Sequence, residues 1–347
     1  MSESVFLENK KLNQLEIEQK KTILQSKVTS MVVTLTTRCN LSCIMCEEIK
    51  IPWDIPERTT KEIIALFPYL EQIIWQGGEV LILDYFKDFL EEARKHPHLY
   101  QSIITNGLAI TDELLPMLVR DNMELTFSID AATKQLYESI RRKANFDLLL
   151  ENIKLVNAAR KRQQLTNMSF RMHVVVMNSN YHELEKFIDF AKEHGFDGLH
   201  LMPIWGNIEG EENIFLHKNK KALDYIKDNI ARVEEKARHY QINLLNSLPF
   251  SGNHHEQSKD NAPSKPEVRL LCHMPWRRMV INPAGYVCPA CHCRKMAGNV
   301  SENTLNEIWN NAGMQAYRQK VVDGDYGDLC NPDCARGIIS EELRGLR

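Results

Sequence analysis

The 347-residue chain contains no run of about 18 apolar residues, the length a membrane-spanning helix needs. Its N-terminus, MSESVFLENKK, lacks the positive start, apolar stretch and small-residue cleavage site of a signal peptide. No charge of one sign dominates. The formal net charge is −3 and both signs are spread along the chain, so the electrostatic footprint of a nucleic-acid or acidic-membrane binder is missing. Low-complexity tracts are absent, and so are internal repeats beyond an alternation of strands and helices. These absences point to a cytoplasmic globular protein with no nucleic-acid or membrane partner.

Cysteine is what the middle of the chain lacks. Of nine cysteines, three lie between residues 39 and 46, six between 272 and 334, and none in between. An odd number leaves one over from any complete set of disulfides. In a reducing compartment, clustered cysteines bind metal more often than they pair. Two metal-binding regions are expected, separated by a cysteine-free body.

That body alternates. Apolar runs that read as strands lie at 31–37, 72–76, 102–106, 123–130, 170–177 and 197–203. Amphipathic stretches lie at 60–67, 85–95, 111–120, 133–141, 147–163 and 181–194. Such alternation implies βαβ units, a parallel sheet and right-handed crossovers. The pattern alone does not choose between a doubly wound sheet and a curved partial barrel. Before the first strand, 6–26 reads as one or two amphipathic helices docked through Leu12, Leu15, Ile17, Ile23 and Leu24. A polar helix is expected at 218–239. The Pro/Ser/Asn/Gly-rich stretch 246–267, which holds His254 and His255, reads as an exposed linker.

Thr34–Glu48 reads TLTTRCNLSCIMCEE. Its C-x3-C-x2-C spacing follows the first predicted strand, where α/β proteins place their sites. Structural zinc prefers two Cys pairs closing four positions, and electron-carrying clusters use four Cys. Three thiolates in eight residues suit three irons of a 4Fe–4S cube, with the fourth iron left for an exogenous ligand.

This motif resembles that of the radical S-adenosylmethionine (SAM) superfamily. The resemblance implies a (β/α)6 partial barrel over 31–245. It also implies that SAM chelates the open iron, and that one electron cleaves SAM to a 5′-deoxyadenosyl radical that takes a hydrogen atom from substrate. Cys39, Cys43 and Cys46 would hold the cluster, with the bulky apolar Met45 before the third. WQGGEVL carries Gly77, Gly78 and Glu79, similar to the family's motif for the SAM amine, with Val80 where a proline is usual. A glycine pair lets backbone approach closely, and a carboxylate accepts from an ammonium. TNG (105–107) supplies Asn106. FSIDAATKQLYESIRR supplies Ser128 and Asp130 for the methionyl and ribose groups and Arg141 for the SAM carboxylate, with Arg142 adjacent. Met202 and Pro203 fall near the expected adenine. Read without the resemblance, these are turns, a surface charge and a core methionine.

The second region, Cys272, Cys288, Cys291, Cys293, Cys330 and Cys334, frames a hairpin with its turn at 283–285 and short helices at 304–311 and 313–322. It resembles the SPASM extension or its shorter twitch form, here as a domain over 268–347. The chain is one cysteine short of the full SPASM pattern, lacks its C-x2-C-x5-C run and has its Gly-x4-Cys off register. One auxiliary 4Fe–4S cluster is expected on Cys272, Cys291, Cys330 and Cys334, with Cys288 the alternate to Cys291 and Cys293 spare. Four cysteines also suit zinc.

The resemblance implies a radical SAM oxidoreductase or maturase acting on a peptide or protein, reduced by a partner such as flavodoxin or ferredoxin. The short segment 1–30 is not expected to hold a leader-binding domain. The alternative enzyme is a dehydrogenase or epimerase of a sugar or other small molecule. A non-enzymatic scaffold has no need of an open iron.

Overall fold

The computed structural model describes residues 2–46, 52–204, 210–249, 272–291, 293–325 and 327–329. Six strands form its centre: β1 (Ser30–Thr34), β3 (Gln72–Gln76), β4 (Tyr100–Thr105), β5 (Met123–Ser128), β7 (Met168–Val176) and β8 (Gly198–Pro203). They stand side by side in chain order, and every pairing is parallel. A strand order that never reverses, joined by right-handed crossovers, keeps all connecting helices on one face. A doubly wound sheet would reverse its order. The sheet is therefore a strip of barrel, and among the described residues it does not close.

The helices of that outer layer are α2 (Glu57–Leu66), α3 (Phe86–Ala93), α4 (Leu115–Leu118), α5 (Lys134–Ile140), α6 (Phe146–Gln163) and α7 (Leu184–Glu193). The stretch expected as a helix at 111–120 narrows to α4. Period-2 alternation sorts each strand's side chains. Met31, Val33, Ile73, Trp75, Ile103, Leu125, Phe127, Phe170, Met172, Leu199 and Leu201 are buried in one cluster beneath the helices. The intervening residues face the barrel interior.

Both edges of the strip are extended. After α8 (Lys220–Tyr240), strand β9 (Asn243–Asn246) pairs parallel with β8. Stretch 250–271, which includes His254, His255 and most of the expected linker, lies outside the described residues. At the other edge, α9 (Met274–Arg277) leads into β10 (Arg278–Ile281), which pairs parallel with β1, Ser30 opposite Arg278. Strands β11 (Tyr286–Cys288) and β12 (Gly298–Asn299) continue antiparallel. The expected hairpin turn is present, with Gly285 at φ +77°, a conformation glycine adopts readily. The expected short helices are α10 (Leu305–Trp309) and α11 (Ala312–Asp323). The second cysteine region thus extends the same sheet.

The N-terminal helix is α1 (Ser2–Glu18). It docks, but its apolar residues are only part of the reason. Ile17 and Leu24 are buried while Leu15 and Ile23 are exposed. Polar side chains complete the seal. Asn13 donates to Ser26 Oγ (3.0 Å) and to Trp276 O (2.6 Å). Glu16 accepts from Gln25 N (2.7 Å) and Ser26 Oγ (2.6 Å). Arg318, fully buried, donates to Pro275 O, Thr22 O and Trp309 O at 2.9, 2.8 and 2.7 Å, so α11 ties the N-terminal arm to α9 and α10.

Candidate cluster and cofactor site

The cysteine loop leaves the C-terminal end of β1. Its two limbs are laced together: Thr37 N donates to Trp53 O (2.8 Å) and Trp53 N donates to Thr37 Oγ1 (2.7 Å). Thr36 Oγ1 accepts from Arg38 N (2.9 Å) and donates to Asp54 Oδ1 (2.5 Å). Cys39 and Cys46 are exposed and Cys43 is half-buried. Cys43 lies on the short strand β2 (Ser42–Cys43), which pairs antiparallel with β6 (Arg141–Arg142) at the end of α5, Cys43 opposite Arg141. Ile44 N donates to Ile140 O (3.0 Å). The loop is therefore held from the β1 side and from the α5 side.

Partial desolvation by the surrounding loop pushes the Cys39 thiol up although its side chain reaches solvent, and burial pushes the Cys43 thiol up to about 11. A thiolate at either position needs a positive charge beside it. Arg141 supplies one, its Nη1 3.9 Å from Cys43 Sγ; a bound metal supplies more. Among the described residues no three His, Cys, Asp or Glu side chains converge to hold a single ion. A cubane asks for a different arrangement, with each thiolate on its own iron.

The glycine pair after β3 does its close packing against protein. A Cβ on Gly77 would meet Thr36 O at 2.4 Å, and one on Gly78 would meet Arg38 O at 2.0 Å. Gly78 N donates to Thr36 O (2.8 Å) and Glu79 N to Arg38 O (2.9 Å). The backbone that the glycines admit is that of the cysteine loop itself, which they hold in place.

Glu79 is fully buried. Its Oε1 accepts from Thr105 Oγ1 (2.8 Å) and Leu81 N (3.1 Å), and its Oε2 from Asn106 N (2.7 Å). Burial raises its pKa, and these hydrogen bonds oppose the rise. A carboxylate offers about four acceptor directions, so one on Oε2 remains. Asn106 Nδ2 donates to Asn40 Oδ1 (2.7 Å) and lies 3.9 Å from Cys39 Sγ.

Arg141 is buried and Arg142 exposed. Burial disfavours the Arg141 charge, but Asp130, Cys43 and Tyr137 together outweigh it and hold its pKa above the ordinary value. Arg141 Nη2 is 2.6 Å from Asp130 Oδ2. Asp130, fully buried, also accepts from Val175 N (2.8 Å). Its contact with Arg141 is an ion pair, and Asp130 Oδ2 is buried with no hydrogen-bond partner among the described residues. Ser128 is half-buried at the end of β5, opposite His173 on β7. Met202 and Pro203 are half-buried at the end of β8.

The barrel interior has two characters. Val32, Val280 and Cys288 form a small apolar cluster joined by Ile74 and Cys293. Across from it Ser102 donates to Glu124 (2.8 Å), Arg171 lies 3.9 Å from Glu124, and the rings of His173 and His200 meet edge-on at 5.0 Å. His200 Nε2 is 2.8 Å from Ser247 Oγ.

Of the second set, Cys288 is buried, Cys272 and Cys293 half-buried, and Cys291 exposed. Burial pushes Cys288 up to about 12. Arg294 N donates to Leu329 O (2.8 Å), so the residue after Cys293 meets the residue before Cys330. Cys330 and Cys334 lie outside the described residues. Sequence reasoning missed Asn40 and Tyr137 as neighbours of the site, and named Thr105 only as the first residue of TNG. Tyr137 had a signal, since it stands four residues before Arg141 and shares its helix face.

A loop of three thiols, a buried carboxylate and a buried guanidinium at the mouth of a partial barrel fit an iron–sulfur cluster with a ligand on its open iron. Arg141 adds a further sign, since its buried Nε has no hydrogen-bond partner among the described residues. Comparison with known proteins agrees. The profile described as "Radical SAM superfamily" matches residues 33–191, and that of SPASM, "Iron-sulfur cluster-binding domain", matches 272–335. Mycofactocin maturase MftC of Mycolicibacterium smegmatis is 28% identical over 325 residues, covering 87% of this chain and 76% of that protein. A probable GTP 3′,8-cyclase of Sulfurisphaera tokodaii is 24% identical over 228 residues, covering 64% of this chain and 71% of that protein. Among solved structures, Streptococcus suis SuiB superposes with a TM-score of 0.64 at 16% identity, covering 90% of this chain and 72% of that one; this likeness speaks for the fold. The chain belongs to the radical SAM superfamily and carries a SPASM iron–sulfur domain. It is an enzyme whose cofactors are SAM, a 4Fe–4S cluster and an auxiliary iron–sulfur cluster. No helix among the described residues is long and apolar enough to cross a membrane.

Proposed function

We propose that the chain is a maturase, a radical SAM oxidoreductase acting on a peptide or protein. One observation carries the choice of substrate class. Similarity to the MftC maturases runs over 87% of the chain and so through both cysteine regions, whereas that to the GTP cyclase covers 64%. SuiB has been solved bound to its precursor peptide SuiA. A sheet that does not close among the described residues suits a long substrate.

In this reading Cys39, Cys43 and Cys46 hold the cluster. When bound and reduced, it supplies one electron to SAM and so the means of hydrogen-atom abstraction. The protein's part is placement. Glu79 Oε2 keeps its free acceptor direction for the SAM amine, and Arg141, aimed by Asp130, takes the carboxylate. Gly77 and Gly78 brace the cysteine loop, while Asn106 holds Asn40 beside Cys39. Ser128 lies toward the ribose, and Met202 and Pro203 toward the adenine. Cys272, Cys291, Cys330 and Cys334, with Cys288 as alternate, hold the auxiliary cluster in a domain over 268–347, beyond a barrel at 31–245. The meeting of Arg294 and Leu329 brings Cys293 into consideration as well. A low-potential donor such as flavodoxin or ferredoxin reduces the enzyme, and the reducing cytoplasm suits its thiolates.

The test is anaerobic reconstitution with counts of iron and sulfide, then dithionite and SAM. Wild type should hold about eight irons and a Cys39/Cys43/Cys46→Ala triple variant about four, with 5′-deoxyadenosine from wild type alone. Equal iron in the two proteins, or deoxyadenosine from the triple variant, refutes the site. Leader and core peptides that neither bind nor stimulate SAM cleavage, where a small molecule does, refute the peptide reading.

A further inference from the structure

The ladder between β5 and β7 ends at Ser128 opposite His173, and Ile129 N adds a bond to His173 O (2.9 Å). Asp130, one residue further, carries the carboxylate paired with Arg141. Past the ladder, side chains hold the two strand ends together. Asp130 Oδ1 accepts from Val175 N (2.8 Å). Asn180 Nδ2 donates to Asp130 O and to Val175 O, each at 2.8 Å, and its Oδ1 accepts from Met177 N (2.8 Å). Asn180 is fully buried, and both its amide donors and its carbonyl oxygen have partners. One side chain thus grips the backbone of the two residues that fix the Asp130 carboxylate, Asp130 itself and Val175.

The turn that carries Asn180 is fastened on further sides. Glu183, also buried, accepts from Ala132 N at its Oε2 (3.0 Å). Ser179 N and Oγ donate to Glu212 at 2.9 and 2.5 Å, and Asn219 Nδ2 donates to Asn178 Oδ1 (2.7 Å). A buried polar network with its members satisfied rigidifies what it joins. We propose that Asn180 is a positioning residue for the SAM site. It fixes the exit of β5, so that Asp130 and the Arg141 paired with it are set for the cofactor before it binds. The inference rests on the reading that Arg141 takes the SAM carboxylate. Groups already in place need no ordering when the ligand arrives, so cutting the link should weaken SAM binding.

Asn180→Ala removes the link. Asn180→Asp keeps the size and the acceptor for Met177 N but lacks the two donors. Each is compared with wild type as the anaerobically reconstituted full chain, by iron count, melting temperature and titration of SAM against the electron paramagnetic resonance signal of the reduced protein. Iron content should equal wild type, while SAM should bind about 10- to 100-fold more weakly, the usual loss when a partner that orients a binding group is removed. A double-mutant cycle with Asp130→Asn then asks whether Asn180 acts through Asp130. If it does, the double variant loses less affinity than the product of the two single losses. Wild-type SAM affinity in both Asn180 variants overturns the inference, even where their melting temperatures fall, because the residue then serves stability alone. So do single losses that simply multiply in the cycle, and so does loss of iron from both Asn180 variants, which marks a general support of the fold. Wild-type SAM affinity in Arg141→Met overturns the reading of Arg141 itself, a result distinguishable from failure at Asn180 alone.

Discussion

Gly78→Ala is the substitution that tests most directly how the site is held. An ideal Cβ at this position lies 2.0 Å from Arg38 O, 2.5 Å from Arg38 C and 2.9 Å from Thr37 C. All three are backbone atoms, so relief requires the strand end or the cysteine loop to move by more than 1 Å to regain about 3.4 Å of ordinary contact. Such a shift breaks the bonds from Gly78 N to Thr36 O and from Glu79 N to Arg38 O, 2.8 and 2.9 Å in the intact protein. Two backbone hydrogen bonds at about 1 kcal/mol each, plus about 1–3 kcal/mol for overpacking, give a loss of about 3–5 kcal/mol. Misplacing Cys39 and Glu79 together should also weaken SAM binding by about 100-fold. The assay is denaturant unfolding of the apoprotein, with iron count and SAM titration of the reconstituted protein. Gly210→Ala, where a Cβ meets nothing within 4 Å, is the matched control. Wild-type stability and SAM affinity in Gly78→Ala would refute the bracing role.

Two further outcomes are expected. Burial pushes His173 down to about 3 and His200 down to about 4. Both stay neutral in the folded protein at pH values where the unfolded chain, with histidine near pKa 6.5, binds protons. Their contribution is therefore complete above about pH 6.5 and is lost as pH falls toward 4, by up to about 1.4 kcal/mol per pH unit for each. A His173→Gln/His200→Gln variant should show a shallower loss of stability over that window, and an unchanged slope would refute it. Arg318→Met leaves the carbonyls of Pro275, Thr22 and Trp309 without their donor and removes the stacking on Trp309 at 4.8 Å. The cost should be about 3–5 kcal/mol by denaturant midpoint. A change within about 0.5 kcal/mol, as at an ordinary surface position, would refute the view that Arg318 fastens the N-terminal arm.

What the sequence determined by itself is local. Period-2 and period-3.6 hydrophobicity located the six central strands, and β3 fell on its expected bounds, because each strand must bury one face under a helix whatever its neighbours are. The C-x3-C-x2-C spacing fixed the kind of metal chemistry, since three thiolates within one loop set the ligand number before any folding is considered. The turn at 283–285 was legible because a left-handed position favours glycine.

Tertiary structure alone decided how those pieces act together. Nothing local to Arg278–Ile281 says that it pairs with β1, some 250 residues earlier in the chain, because pairing across that distance is set by which apolar faces remain to be covered. Nor does QGGEVL reveal that its glycines press on the backbone of Thr36 and Arg38. Asp130 shares a sequence motif with Ser128, yet only the fold shows its carboxylate buried against Arg141. The same burial leaves the Tyr137 hydroxyl and Arg141 Nε without acceptors among the described residues, a state that no one-dimensional pattern can encode. Desolvation depends on what surrounds a group from every side, and only the folded chain supplies those sides.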